Sequence, residues 1–136
     1  MDLAVRLRKG ELVRNHYRDF LDFAHDAMEV LGFDLSEMQE DIAEYIAYGP
    51  DRRVVMAQRG EAKSTIAVIY ACWCLTQDFN ANVLIVTDGD RQAKENSKLL
   101  ITLIMRWDLL DYMRPDPASG DRTSVEAFDI NHELRT

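Results

Sequence analysis

A chain of 136 residues, 47% hydrophobic and 29% charged, is ordinary in make-up for a globular protein and long enough for one core. Its net charge of −8 and pI of about 4.8 repel nucleic acid at long range, and its longest apolar stretch, residues 66–75, is far too short to cross a membrane. Cys72 and Cys74 lie two positions apart on an expected helix and point to nearly opposite sides, so they read as small core residues of a reducing compartment rather than a disulfide or metal pair. His16, His25 and His132 add no ligand spacing.

Arg6, Arg8, Lys9, Arg14 and Arg18 make the start of the chain locally basic, which reads as a solvated helix face in preference to a nucleic-acid contact. Val13, Tyr17, Phe20, Ala24, Ala27, Met28 and Leu31 recur at three- and four-residue spacing. That pattern predicts one long amphipathic helix ending near Gly32. A second helix is predicted from Ser36 to about Tyr48, opened by a capping box of Ser36 and Gln39 and stopped by Gly49 and Pro50. The apolar run 53–57 suits a buried parallel strand, and 64–73 a buried helix. After a turn at 77–82, residues 83–87 read as a second buried parallel strand, because a helical crossover precedes them. Asp88, Gly89 and Asp90 make the next turn and cap a helix from Arg91 to about Arg106, which 107–113 continue as a short helix. Pro115, Pro117 and Gly120 break the chain, and 124–130 read as one more strand. The order α-α-β-α-β-α-β gives an α/β class.

Between the first expected strand and its helix stands Ala57-Gln58-Arg59-Gly60-Glu61-Ala62-Lys63-Ser64-Thr65, which reads as a phosphate-binding loop. Backbone N–H groups and a helix N-terminus would surround polyphosphate oxygens. Lys63 would reach the β- and γ-phosphates, and the Ser64 hydroxyl would complete a Mg²⁺ shell. Ala57 and Ala62 stand where the G-x-x-x-x-G-K-[ST] pattern has glycine, so the loop takes a slightly different path, with Gly60 supplying a special backbone angle. The alternative is a strand-turn-helix with a surface lysine and a capping serine. A complete ATPase also needs a carboxylate at a second strand end. Asp88, near Asp90, is the candidate, yet Thr87 interrupts the pattern, and Asp88 reads better as a helix cap. The chain reads as a nucleotide grip without a complete hydrolytic apparatus.

On these motifs the chain resembles the N-terminal part of the ATPase domain of large terminase subunits, the DNA-packaging motors of tailed bacteriophages, and looks closest to the podophage branch. The resemblance runs from about Arg14 to Ile130. It is carried by the loop from Gln58 to Ser64, by 83–87 and by 122–130; an R-G-x-[GA]-K-[ST] loop is typical of these motors. It implies an α/β P-loop NTPase of the additional-strand, RecA-like type, with an incomplete parallel sheet and flanking helices. Residues 1–50 would be an N-terminal helical segment and 51–136 the first portion of the ATPase domain. The acidic strand end, the coupling motif and the nuclease domain would lie beyond Thr136. The resemblance implies ATP and Mg²⁺ as cofactors, with phosphate and metal contacts at Lys63 and Ser64. Gln58, Arg59, Gly60, Glu61, Ala62 and Thr65 would complete the cradle, and Arg59 would stabilise γ-phosphate charge in cis. Gln39 would read adenine, a role that competes with its cap. The implied activity is ATP hydrolysis coupled to driving double-stranded DNA into a procapsid, in the cytoplasm of an infected bacterial host. The implied partners are DNA, the portal protein, a small terminase subunit and further copies in a ring. Two other readings stay open: a standalone non-hydrolysing nucleotide-binding or interaction module, and a fragment of a helicase-like ATPase.

Overall fold

The computed structural model describes residues 1–49, 63–84, 90–124 and 127–135. Among these lie the helices α1 (Leu3–His16), α2 (Phe20–Val30), α3 (Glu37–Tyr48), α4 (Lys63–Gln77) and α5 (Asp90–Arg106). Short 3₁₀ segments follow at Asp108–Met113, Pro117–Ser119 and His132–Leu134.

Local chemistry starts and stops these helices. Asp2 caps α1 by accepting from the Val5 N–H at 2.9 Å, and Asp19 caps α2 by accepting from the Leu21 N–H at 3.1 Å. On α3 the expected capping box is closed both ways: the Gln39 N–H donates to Ser36 Oγ at 3.2 Å, and the Ser36 N–H donates to Gln39 Oε1 at 3.0 Å. Gly49 ends the helix as expected. Beyond α2, Gly32 adopts φ +88°, a left-handed angle that turns the chain toward α3.

α4 is the centre of the packing. Ile66, Val68, Ile69, Ala71, Cys72, Leu75 and Thr76 are all buried, so the helix is covered on nearly every side. α1, α2, α3 and α5 all touch it. One core cluster runs from Val13 to Leu134. Aromatic edges knit it together: Phe20 meets Tyr70 at 5.3 Å between ring centres, and Phe23 meets Trp107 at 5.3 Å. Gly10 lets α1 approach closely, since a Cβ there would stand 2.7 Å from Phe79 Cζ and 3.1 Å from Tyr112 Cε2. Lys9 to Asp111 at 2.9 Å, and Arg6 Nη1 to the Tyr112 carbonyl at 2.9 Å, tie α1 to the 3₁₀ segment Asp108–Met113.

The structure corrects three expectations. The single helix from Val13 to Leu31 is two, broken at Tyr17. The Tyr17 carbonyl, which a continuous helix would have kept for its own ladder, instead accepts from Trp73 Nε1 at 2.7 Å and Gln77 Nε2 at 3.1 Å. Second, 124–130 do not form a strand among the described residues. One isolated antiparallel bridge joins Thr123 to Phe128, and the Arg122–Asp129 pair lies beside it. Third, the α/β P-loop NTPase class, with its incomplete parallel sheet of the additional-strand, RecA-like type, is overturned. About 70% of the described residues are helical, and they contain no strand or sheet. Val83 and Leu84, expected to begin a buried strand, are 47% and 85% exposed and enter no ladder. The core is closed by helices packing on α4. The expected strand at 53–57 and the remainder of 83–87 lie outside the described residues.

Candidate functional site

Lys63 and Ser64 are the first two residues of α4, and both are exposed; Thr65, next in line, is half-buried. The first N–H groups of a helix have no partner within it and carry the positive end of its dipole, about half an elementary charge. α4 has 15 residues and a buried body, so this end is held by the core rather than by its own propensity. An ammonium, a hydroxyl and the N–H groups of a helix start form a donor set suited to anionic oxygens. Gln58, Arg59, Gly60, Glu61, Ala62 and Asp88 lie outside the described residues. Gln39 opens a different helix, α3, and its Oε1 is engaged by the Ser36 N–H. The structure thus brings Lys63 and Ser64 to one helix start and leaves Gln39 at another.

A cleft lies elsewhere among the described residues. It holds about 640 Å³ between α4, α5 and the C-terminal segment, over a floor that includes Ala71, Leu75, Leu100 and Ile130. Ala71 is eight residues beyond Lys63, about 12 Å along the helix axis at 1.5 Å per residue. None of Lys63, Ser64 and Gln39 lines this cleft. Among the described residues no group of three or more His, Cys, Asp or Glu could hold a metal. Nor is any of their helices long and apolar enough to cross a membrane.

Sequence reasoning passed over the polar fastenings of the C-terminal segment. Arg122 grips Asp129 with two bonds, Nε to Oδ2 at 3.1 Å and Nη2 to Oδ1 at 3.0 Å. Chiefly through this bond, the Asp129 carboxyl is held below its ordinary pKa. Asn131 Nδ2 donates to the Arg114 carbonyl at 3.1 Å, and Arg135 Nη2 donates to the Ala81 carbonyl at 3.0 Å. The available signal was an arginine and an aspartate seven residues apart, a pattern too common to single out in advance.

Burial also shapes the two cysteines. The Cys72 thiol is pushed up to about 12, foremost by burial and then by Cys74, which leaves it a neutral, unreactive core group. Cys74 shifts in the same direction, again by burial first.

No protein-family model matches the chain. The chain is 31% identical over 114 residues to the terminase large subunit of Enterobacteria phage T3, a match covering 82% of this chain and 19% of that protein. The chain therefore spans about a fifth of the length of the curated relative it matches. Over that stretch the chain is similar to a terminase large subunit.

Proposed function

We propose that this chain is the nucleotide-binding part of a phage terminase large subunit, which uses ATP hydrolysis to drive double-stranded DNA into a procapsid. The observation that carries the reading is the similarity to the T3 terminase. A continuous match over 82% of the chain leaves less than a fifth outside it, and so contains the mid-chain segment from Ala57 to Thr65.

The donor set at the start of α4 fits a polyphosphate. Lys63 would hold the β- and γ-phosphates, Ser64 Oγ would hold Mg²⁺, and the N–H groups of Gln58 to Ala62 and Thr65 would complete the cradle. Arg59 would offset charge on the γ-phosphate. For Gln39, adenine reading competes with the cap that already engages its Oε1. Bound ATP would supply the phosphoanhydride whose hydrolysis powers packaging. DNA, the portal protein, a small terminase subunit and further copies in a ring would be the partners, at the procapsid in the host cytoplasm. A net charge of −8 is compatible with this, because DNA moving through a ring needs local basic contacts only.

Titration with a fluorescent ATP analogue, with and without Mg²⁺, tests the reading. Lys63→Ala is expected to weaken binding at least about tenfold, the worth of one lost charge-assisted contact. Ser64→Ala is expected to abolish the Mg²⁺ dependence. Equal affinities for wild type and Lys63→Ala would overturn the assignment. A module that binds nucleotide without turnover is the second reading, since Asp88, near Asp90, is the candidate metal-binding carboxylate in the sequence and Thr87 interrupts its pattern. Binding without Lys63-dependent phosphate release would select it.

A further inference from the structure

The exposed faces of α1 and α3 match each other. On α1, Val5, Arg8 and Leu12 follow at i, i+3 and i+7 and so share one stripe. All three are exposed, Val5 at 46% and Leu12 at 58%. On α3, Met38, Asp41 and Tyr45 repeat that spacing and are also exposed, Met38 at 54%. Each stripe is a charge between two apolar groups, basic on α1 and acidic on α3. Neither Arg8 nor Asp41 forms an ion pair among the described residues.

The two stripes do not meet within one chain. α1 packs on α4 and on the 3₁₀ segments, while α3 packs on α2 and α4. The charge around them is segregated in the same sense. Residues 1–18 carry five Lys or Arg against two acids, whereas 19–49 carry nine acids and no Lys or Arg. A second copy approaching with its basic helix toward this acidic flank is steered into register by the summed field.

We propose that the α1 stripe of one chain docks on the α3 stripe of a second copy, with Arg8 opposite Asp41 and the apolar residues closing around that pair. Because the two surfaces differ, every added copy leaves one stripe of each kind available, and the contact builds a ring or an open row. A single helix-on-helix contact is small against the roughly 800 Å² per partner of a stable interface. The association is therefore weak, dependent on concentration and sensitive to salt. The contact rests on the part of the proposed function that places further copies beside this chain; it involves none of the residues from Ala57 to Thr65, so it stands or falls apart from the nucleotide reading.

Sedimentation velocity on the full chain, across concentration and at low and high salt, tests it. The wild type is expected to rise above 15.7 kDa with concentration, more so at low salt. Arg8→Glu and Asp41→Lys should each weaken association at least about tenfold by setting like charges opposite each other. The double variant should return to within about threefold of wild type, as should an equal mixture of the two single variants, because each altered face then finds its complement. Circular dichroism confirms that these surface changes leave the helices intact. A chain that stays at 15.7 kDa throughout overturns the proposal. So does association that ignores the single reversals, or that neither the double variant nor the mixture rescues.

Discussion

One carboxylate oxygen, Asp121 Oδ2, accepts from the Asp116 N–H at 2.8 Å and the His132 N–H at 3.1 Å, and faces His132 Nδ1 at 3.1 Å. Burial pushes this carboxyl's pKa up, but the Asp116 N–H and the His132 contacts outweigh it and leave it below its ordinary value. Asp129 shifts in the same direction through its bond with Arg122. A depressed folded pKa contributes stability above the unfolded value, about 3.9 for aspartate, and that stability is lost as pH falls through the folded value. Stability should therefore decline below about pH 4. Asp121→Asn should flatten that decline, while costing about 0.5–1.5 kcal/mol at pH 7, because an amide oxygen still accepts from both N–H groups but without the carboxylate charge. Urea unfolding between about pH 3 and pH 7 reads both effects. An unchanged acid slope in Asp121→Asn would show that this carboxylate does not hold the segment.

Among the elements, the elbow between α1 and α2 shows how a distant residue overrides a local pattern. Val13, Tyr17, Phe20 and Ala24 keep helical spacing straight through the break, so periodicity alone continues the helix. What ends it is Asp19 capping a new helix, together with donors from α4 taking the freed Tyr17 carbonyl. The Trp73 ring is also packed against Phe20 at 5.5 Å and Tyr70 at 5.8 Å. Trp73→Phe keeps an aromatic ring there but removes the indole N–H. It should cost about 1–2 kcal/mol, since Gln77 alone then serves the carbonyl. The urea midpoint measures this, and an unshifted midpoint would mean the indole bond does not secure the elbow. α3 shows the opposite case. Its capping box and terminal glycine act within a few residues, and its bounds were legible before any packing was known.

At the scale of the molecule, stability centres on α4. Ile69 is fully buried in the core cluster, and Ile69→Ala should cost about 2–5 kcal/mol through lost burial and a residual cavity. That is a large share of the roughly 5–15 kcal/mol typical of a domain. A single cooperative transition at lower urea, seen alike by circular dichroism and tryptophan fluorescence, is the expected result. A loss under about 1 kcal/mol would mean that α4 is not the centre of the core. From the sequence alone came the starts and stops of α3 and α5, the buried character of α4, the basic start and the Lys63-Ser64 pair. Caps, periodicity and charge act over a few residues and leave their mark in the chain itself. The tertiary structure alone decided the elbow at Tyr17, the bridge between Thr123 and Phe128, the helical closure of the core and the exposure of the α1 and α3 stripes. An apolar run becomes a strand only if another strand pairs with it, and a helix face is buried only if another element covers it. For Val83 and Leu84 no such partner is found among the described residues, whereas four helices pack on α4.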